Sequence, residues 1–270
     1  MKRIVIKLGT GVLTEPSGLS LNLAQFDHLT SQFAALINAG HSVVVVSSGA
    51  ITAGLPVLGL EERPTDLTTR QACACIGQPH LIRQFSKDLA RFHIHTAQLL
   101  FTHEDIDSVS HRCNARNTFE RLLQAPRLIP IVNENDAIAV DEINLGDNDR
   151  LSAEIAMLLQ ADLLIMLTSV DGLLKDGVLL PEITDIDKAL EYITSEKGTF
   201  SRGGMRSKLE SAHYATQYGT ETIIANGYTP EIILSAVKGY SVGTRLPAQL
   251  SNAMTVNSSL FAPSCPHTFS

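Results

Sequence analysis

Two lysines, two runs of acidic and amide side chains, and three glycine-bearing loops hold most of the chemistry available to this 270-residue chain. Lys7 closes an apolar run and is followed by Gly9-Thr10-Gly11. Glycines there let an anion approach backbone N–H groups; the alternative is a lysine snorkelling from an edge strand. Gly9-x-Gly11 begins like the dinucleotide fingerprint, but Thr14 holds the third glycine position, no helix is expected to start at once, and no acidic residue closes the second strand. A Walker A loop is also absent from the sequence. Ser47-Ser48-Gly49-Ala50 leads into a helical stretch, so Ser48 and Gly49 either cap it or offer donors to a carboxylate or phosphate.

The acidic and amide residues fall in Asn133-Glu134-Asn135-Asp136 and Gly146-Asp147-Asn148-Asp149. They read as solvated turns, or as holders of an ammonium group, a magnesium ion or the lysines of a phosphate site. Arg202-Gly203-Gly204-Met205-Arg206-Ser207-Lys208 opens a helix. Its glycines expose backbone donors, and Lys208, four residues after Gly204, falls on the same face one turn in. That makes a phosphate cradle, or else a glycine hinge before an exposed cationic helix. Lys7 and Lys208 together favour phosphoryl transfer from a nucleotide, a step that needs mostly positioning and charge neutralisation. A carboxylate acceptor is already ionised at neutral pH and needs no general base. The nine histidines are scattered, and His93-x-His95 has no acidic or cysteine companion at ligand spacing, so the pair reads as strand-edge packing.

These residues need strands to carry them, and the hydrophobic pattern supplies them. Apolar strands are expected at Arg3 to Leu8, Ser42 to Val46, Ile94 to Leu100, Arg127 to Val132, Asp162 to Leu167 and Glu221 to Ala225. Helices are expected at Asn22 to Ala39, Asp66 to Phe92 with an interruption near Gly77 to Pro79, Asn114 to Gln124, Arg150 to Gln160, Gly204 to Tyr218, and briefly after Pro230. Asp171-Gly172 and Asp176-Gly177 mark a hairpin or lid between 171 and 181. Four consecutive valines, Val43 to Val46, fit a strand buried on both faces. The alternation predicts one α/β domain, a three-layer α/β/α sandwich with a mainly parallel sheet and its ligands at the strands' carboxyl ends.

Twenty-one basic against 28 acidic residues leave a net charge of −7, which argues against nucleic acid or an anionic membrane as partner. Hydrophobic residues at 44% and charged ones at 18% fit a globular chain with ample core. The four cysteines form neither a persuasive disulfide framework nor a zinc pattern, so a cytoplasmic location is expected. The basic start is interrupted too soon for a secretory leader, and no stretch reaches the ~18 apolar residues of a membrane span.

Taken as a set, IKLGTGVLT, VVVVSSGAITAG, GQPHLI, NARNTF, PIVNENDAIA, LGDNDRLSA, LLIMLTSVDGL, RGGMRSKLESA and SVGTR resemble the amino acid kinase superfamily and, within it, the glutamate 5-kinases. The resemblance covers about residues 3 to 247. It implies a kinase domain over 1–250; the polar, aperiodic residues 251–270 read as a disordered tail, too short for the C-terminal PUA domain that many members carry. By the same resemblance Lys7 and Lys208 neutralise the nucleotide's terminal phosphates, and Asp149 orients both. Ser48, Gly49, Asp136 and Asn148 would bind the substrate. Lys7, Gly9, Thr10, Thr168, Ser169, Arg202, Gly203, Gly204, Met205, Arg206, Ser207 and Lys208 would meet the nucleotide.

The implied reaction converts ATP and L-glutamate to L-glutamyl 5-phosphate, the first step toward proline, with Mg2+ carried mainly by the ATP phosphates rather than by side chains. Feedback inhibition by L-proline, assembly as a homodimer or homotetramer, and contact with the next enzyme of proline synthesis are further implications. Two departures concern the nucleotide end. Thr168-Ser169 replaces the usual Thr-Asp, and Leu173-Leu174-Lys175-Asp176-Gly177 begins a shorter loop lacking the usual Tyr and Asp-Pro. The alternatives are a related kinase for another small carboxylate, or a catalytically weak amino-acid sensor. A sensor need not keep Lys7, Lys208 and Asp149 together, as this chain does.

Overall fold

The computed structural model describes residues 1–139, 147–195 and 202–249. The chain opens with β1 (Arg3–Leu8), the short α1 (Thr10–Leu13), α2 (Leu23–Asn38) and β2 (Ser42–Ser47). Next come α3 (Ala50–Gly54), a 3-10 turn, α4 (Leu67–Ala90), β3 (His95–Phe101), α5 (His103–Asp107), α6 (Val109–Leu123) and β4 (Leu128–Glu134). The second half holds α7 (Asp147–Leu158), β5 (Leu163–Thr168), the two-stranded hairpin β6 (Leu174–Lys175) and β7 (Val178–Leu179), and α8 (Ile186–Ser195). It ends with α9 (Arg202–Gln217), β8 (Glu221–Asn226), α10 (Ile232–Val237) and β9 (Thr244–Leu246). Among the described residues the main sheet has seven strands in the order β3-β4-β2-β1-β5-β8-β9, all parallel neighbours except the antiparallel pair β8 and β9.

Strand alternation divides the apolar residues into two cores. Ile4, Ile6, Leu8, Val43 and Val45 pack with Phe26, Phe33 and Phe85 from α2 and α4 on one face. Val5, Val44, Val46, Leu164 and Met166 pack with Phe119, Ile155 and Leu209 from α6, α7 and α9 on the other. Each fully buried Val or Leu contributes about 1.5–3 kcal/mol, so the valine run secures β2 from both sides. This is the expected α/β architecture with helices on both faces. Lys7 shares the period of Val5 and therefore points to the α7 and α9 side.

The structure differs from expectation at five elements. α1 starts directly after Gly9, where no immediate helix was expected; at four residues it presents no hydrophobic period to detect. α4 runs through Pro79 without interruption. The proline deprives only the Cys75 carbonyl of a helical donor, and Cys75 is exposed to water. α5 and α8 were not anticipated, nor was β9, a three-residue antiparallel edge too short for a period-2 signal. Asn22 does cap α2, accepting from Gln25 N at 3.0 Å. The tail expected over 251–270 lies outside the described residues. Among the described residues no helix is long and apolar enough to cross a membrane.

Candidate active site

The carboxyl ends of β1, β2, β4 and β5 converge, and the polar residues of the chain gather there. Lys7 Nζ lies 2.6 Å from Asp149 Oδ1, and Lys208 Nζ lies 3.0 Å from Asp149 Oδ2. The two lysines, 201 positions apart in the chain, thus share one carboxylate. Their side chains are 5% and 13% exposed, and that of Asp149 is 1% exposed, so water screens the triad little. Lys208 also donates to the Gly204 carbonyl at 3.2 Å, which holds its ammonium over the first turn of α9. Burial alone would raise the Asp149 carboxyl, but the two ammonium groups hold it below the usual carboxylate range. Burial pushes the Lys7 ammonium down, and repulsion from Lys208 adds to this while Asp149 opposes it. Two cations on one anion leave this buried group with an excess positive charge. A phosphate would neutralise it.

Gly9 turns the chain beside this triad. Its N–H donates to Leu167 O at 3.1 Å, tying the end of β1 to β5. A β-carbon at Gly9 would stand 3.2 Å from the Leu167 oxygen and 3.7 Å from Lys7 Nζ, so glycine keeps the ground in front of the lysine open. Thr10 begins α1. Ser169 is next to the same turn, since a β-carbon at Gly11 would be 3.7 Å from its Oγ. Thr168 ends β5, where its carbonyl accepts from Gly227 N at 2.9 Å.

Asn148, the neighbour of Asp149, belongs to a second polar group. Its Nδ2 donates to Ser48 Oγ at 3.1 Å and to Asn133 Oδ1 at 3.0 Å. Asn133 Nδ2 in turn donates to Gln78 Oε1 at 2.8 Å. Ser48 enters this group because Gly49 adopts a left-handed φ of 103° that turns the chain from β2 into α3. Asp136 is half-buried in the turn after β4. Burial and Arg70 push the neighbouring Arg63 guanidinium down, and the Asp136 charge opposes them.

The structure therefore brings Lys7, Gly9, Asp149, Gly204 and Lys208 together at one end, and Ser48 and Asn148 at the other. Arg206 does not join them: it is exposed and paired with Glu210 at 2.8 Å. Met205 packs into the core beneath α9. Arg202, Gly203 and Ser207 lie in the first two turns of α9, the side chain of Arg202 being outside the described residues. Gly146, expected in the second polar loop, is also outside them. Sequence reasoning missed Gln78. It sits inside a helix, and its one signal is a polar residue between Gly77 and Pro79 in a segment whose apolar neighbours are buried.

Residues 2–226 match the amino acid kinase family. A glutamate 5-kinase of Clostridium tetani is 42% identical over 252 residues, covering 90% of this chain and 94% of the relative. A glutamate 5-kinase of Moorella thermoacetica is 41% identical over 251 residues, covering 90% of this chain but 66% of its own longer length. Among solved structures, UMP kinase from Bacillus anthracis superposes with a TM-score of 0.61 over 92% of this chain and 96% of its own. N-acetylglutamate synthase from Neisseria gonorrhoeae, complexed with coenzyme A and L-arginine, gives 0.66 over 92% of this chain and 62% of its own. At 13% and 16% identity these two likenesses concern the fold alone. The fold, the sequence match over most of the chain and the identity to these relatives agree: the chain belongs to the amino acid kinase family.

Proposed function

We propose that the chain transfers a phosphoryl group from ATP to the side-chain carboxylate of L-glutamate, giving L-glutamyl 5-phosphate and ADP in the first step of proline biosynthesis. The observation that carries this reading is the adjacency of Asn148 and Asp149. One residue faces an amide and hydroxyl group suited to an amino acid, and the next holds two lysines suited to phosphates. A single helix start thus sets the distance between acceptor and donor sites, and such positioning is the main catalytic device in phosphoryl transfer. The relatives named glutamate 5-kinase supply the identity of the acceptor.

In this reading Lys7 and Lys208 neutralise charge on the phosphate oxygens as the phosphorus–oxygen bond to the nucleotide breaks and the bond to the carboxylate oxygen forms. No proton need move, because the acceptor is ionised at neutral pH. Asp149 holds both ammonium groups toward the transferred group. Gly9, Thr10 and Gly204 would offer backbone to the phosphates, with Thr168 and Ser169 at the nucleotide end. Ser48, Gly49, Asp136 and Asn148 would take the glutamate.

Among the described residues no three His, Cys, Asp or Glu side chains gather as a metal site, and Asp149 is committed to the lysines. Mg2+ would be carried on nucleotide phosphate oxygens, where it would supply further charge neutralisation. Residues 1–250 are taken as one kinase domain. Proline control, homo-oligomer formation and contact with the enzyme that consumes the acyl phosphate are consequences of this reading.

The test is ADP release with L-glutamate, N-acetylglutamate or aspartate, with hydroxylamine present to trap the acyl phosphate. Glutamate-dependent release with hydroxamate formation is expected. Release that does not depend on glutamate would overturn the reading.

A further inference from the structure

The amide group around Asn133 has a fixed polarity that can be worked out from one backbone bond. Glu134 N donates to Asn133 Oδ1 at 2.9 Å, and a backbone nitrogen can only donate. Asn133 Oδ1 is therefore an acceptor, so the Asn148 nitrogen at 3.0 Å is a donor and the oxygen of Asn148 points elsewhere. The other end of Asn133 must then be its donor, so the Gln78 atom at 2.8 Å is the oxygen. Asn148 Oδ1 is left buried without a partner. A buried acceptor in that state costs about 1–3 kcal/mol unless something donates to it. An ammonium group does so with charge assistance.

Gln78 is in place through an unusually close helix contact. A β-carbon at Gly77 would stand 1.8 Å from the Ala50 oxygen, and one at Gly54 2.0 Å from the Cys73 oxygen. With glycine at both positions the backbones of α3 and α4 touch, and Gln78, the next residue, reaches the end of β4. It is 8% exposed.

Building on the proposed glutamate site, we infer that Gln78 is a positioning residue for ammonium recognition. By accepting from Asn133 it locks that amide in the orientation that makes Asn148 a donor to Ser48 and an acceptor toward the substrate. Without Gln78 Oε1, the Asn133 nitrogen is a buried donor without an acceptor, a cost the side chain relieves by shifting toward water. That shift loosens the constraint on Asn148 Oδ1, whose amide nitrogen then keeps only Ser48 Oγ at 3.1 Å and the longer 3.4 Å bond to the Ser47 carbonyl. The substrate feature read through this chain is the α-ammonium, which glutarate lacks and glutamate has.

The inference is tested by equilibrium binding, which needs no turnover. The full chain, the Gln78→Met variant and the Gln78→Glu variant are titrated calorimetrically with glutamate and with glutarate, and melting temperatures confirm folding. Gln78→Met, which keeps volume but not the acceptor, is expected to reduce the preference for glutamate over glutarate about tenfold. Gln78→Glu, which keeps an acceptor oxygen for Asn133, should retain the preference within about threefold. In an Asn148→Ala background, adding Gln78→Met should change the preference no further, because Gln78 acts through Asn148.

An unchanged preference in folded Gln78→Met, or the same additional loss in the Asn148→Ala background, would overturn the inference. If Gln78→Met does not fold, loss of the preference in Gln78→Glu does so. Binding of glutamate without ADP release would instead overturn the kinase reading alone, and no preference for glutamate in the parent chain would overturn both.

Discussion

Lys7 and Lys208 meet on opposite oxygens of Asp149, at 2.6 and 3.0 Å, in a site almost closed to water. One carboxylate cannot balance two ammonium groups, and the imbalance shapes how each lysine behaves. Lys7 is 4% exposed and anchored in the sheet, whereas Lys208 reaches in from the first turns of α9. Lys208 is thus the charge that can be removed with least damage to the fold. Lys208→Met is expected to lower kcat about 10²–10³-fold, the loss typical of one preorganised electrostatic contact. Glutamate affinity, measured calorimetrically, should stay within about threefold. Equal losses in both would place Lys208 outside the phosphoryl-transfer step.

Proton uptake on nucleotide binding follows from the same imbalance. Burial and Lys208 lower the Lys7 pKa below 10.5, so its neutral form is reached at lower pH than in a free lysine. Phosphate oxygens restore the missing negative charge and draw the proton back. Binding of an ATP analogue, followed as pH is raised, should therefore take up protons in the window where Lys7 is partly neutral, seen as a dependence of the calorimetric heat on the buffer's ionisation enthalpy. Stability runs the other way: a folded pKa below the unfolded one means the unfolded chain binds more protons in that window, so Lys7 makes folding more favourable as pH rises through it. Loss of nucleotide affinity at alkaline pH should precede any unfolding.

Gly77 and Gly9 make opposite predictions for the same substitution. A methyl at Gly77 runs into the Ala50 carbonyl at 1.8 Å and the Gly54 nitrogen at 2.5 Å, both backbone atoms that cannot step aside. Gly77→Ala should cost about 3 kcal/mol or more by overpacking, lowering the melting temperature by roughly 6–12 °C for a chain of this size. At Gly9 the nearest atoms would be 3.2 and 3.7 Å away, and the second is Lys7 Nζ. Gly9→Ala should therefore cost about 1 kcal/mol for the close approach to the Leu167 carbonyl, the low end of overpacking, while weakening ATP. A thermal melt and an ATP titration on the two variants separate a packing glycine from a site glycine.

The sequence made the triad legible because each member sits at an element boundary. Lys7 ends an apolar strand, Asp149 lies in a polar loop before a helix, and Lys208 follows a glycine pair. Their mutual contact was not legible, since 142 positions separate Lys7 from Asp149 and only the β1-to-α7 packing closes that gap. Gln78 was hidden for another reason. In the middle of α4 a polar side chain looks like the solvent face, and its burial depends on Gly54 and Gly77 letting two backbones touch. Pro79 misled in a related way, because a proline usually marks a break and here occupies a helix held from the side. Arg206 resembled a phosphate ligand by position, but the i+4 glutamate engages it at the surface.

Asp136 offers the most direct check on where the amino acid sits. It lies half-buried after β4, one turn beyond the residue whose amide fixes the Asn148 orientation, and its charge already acts on Arg63. The turn that carries Asp136 follows directly from β4, whose Asn133 accepts from Asn148. Asp136→Ala removes a charge-assisted partner, a loss of about 1.5–3 kcal/mol, so the KM for glutamate should rise roughly 10- to 150-fold on that estimate. The KM for ATP should not change, and kcat should fall less than about threefold, because the carboxylate that receives the phosphoryl group lies at the other end of the amino acid. Glutarate gives the internal control: with no ammonium to lose, its binding should improve or stay level when the negative charge of Asp136 is removed. A KM for glutamate that does not move would take Asp136 out of the site.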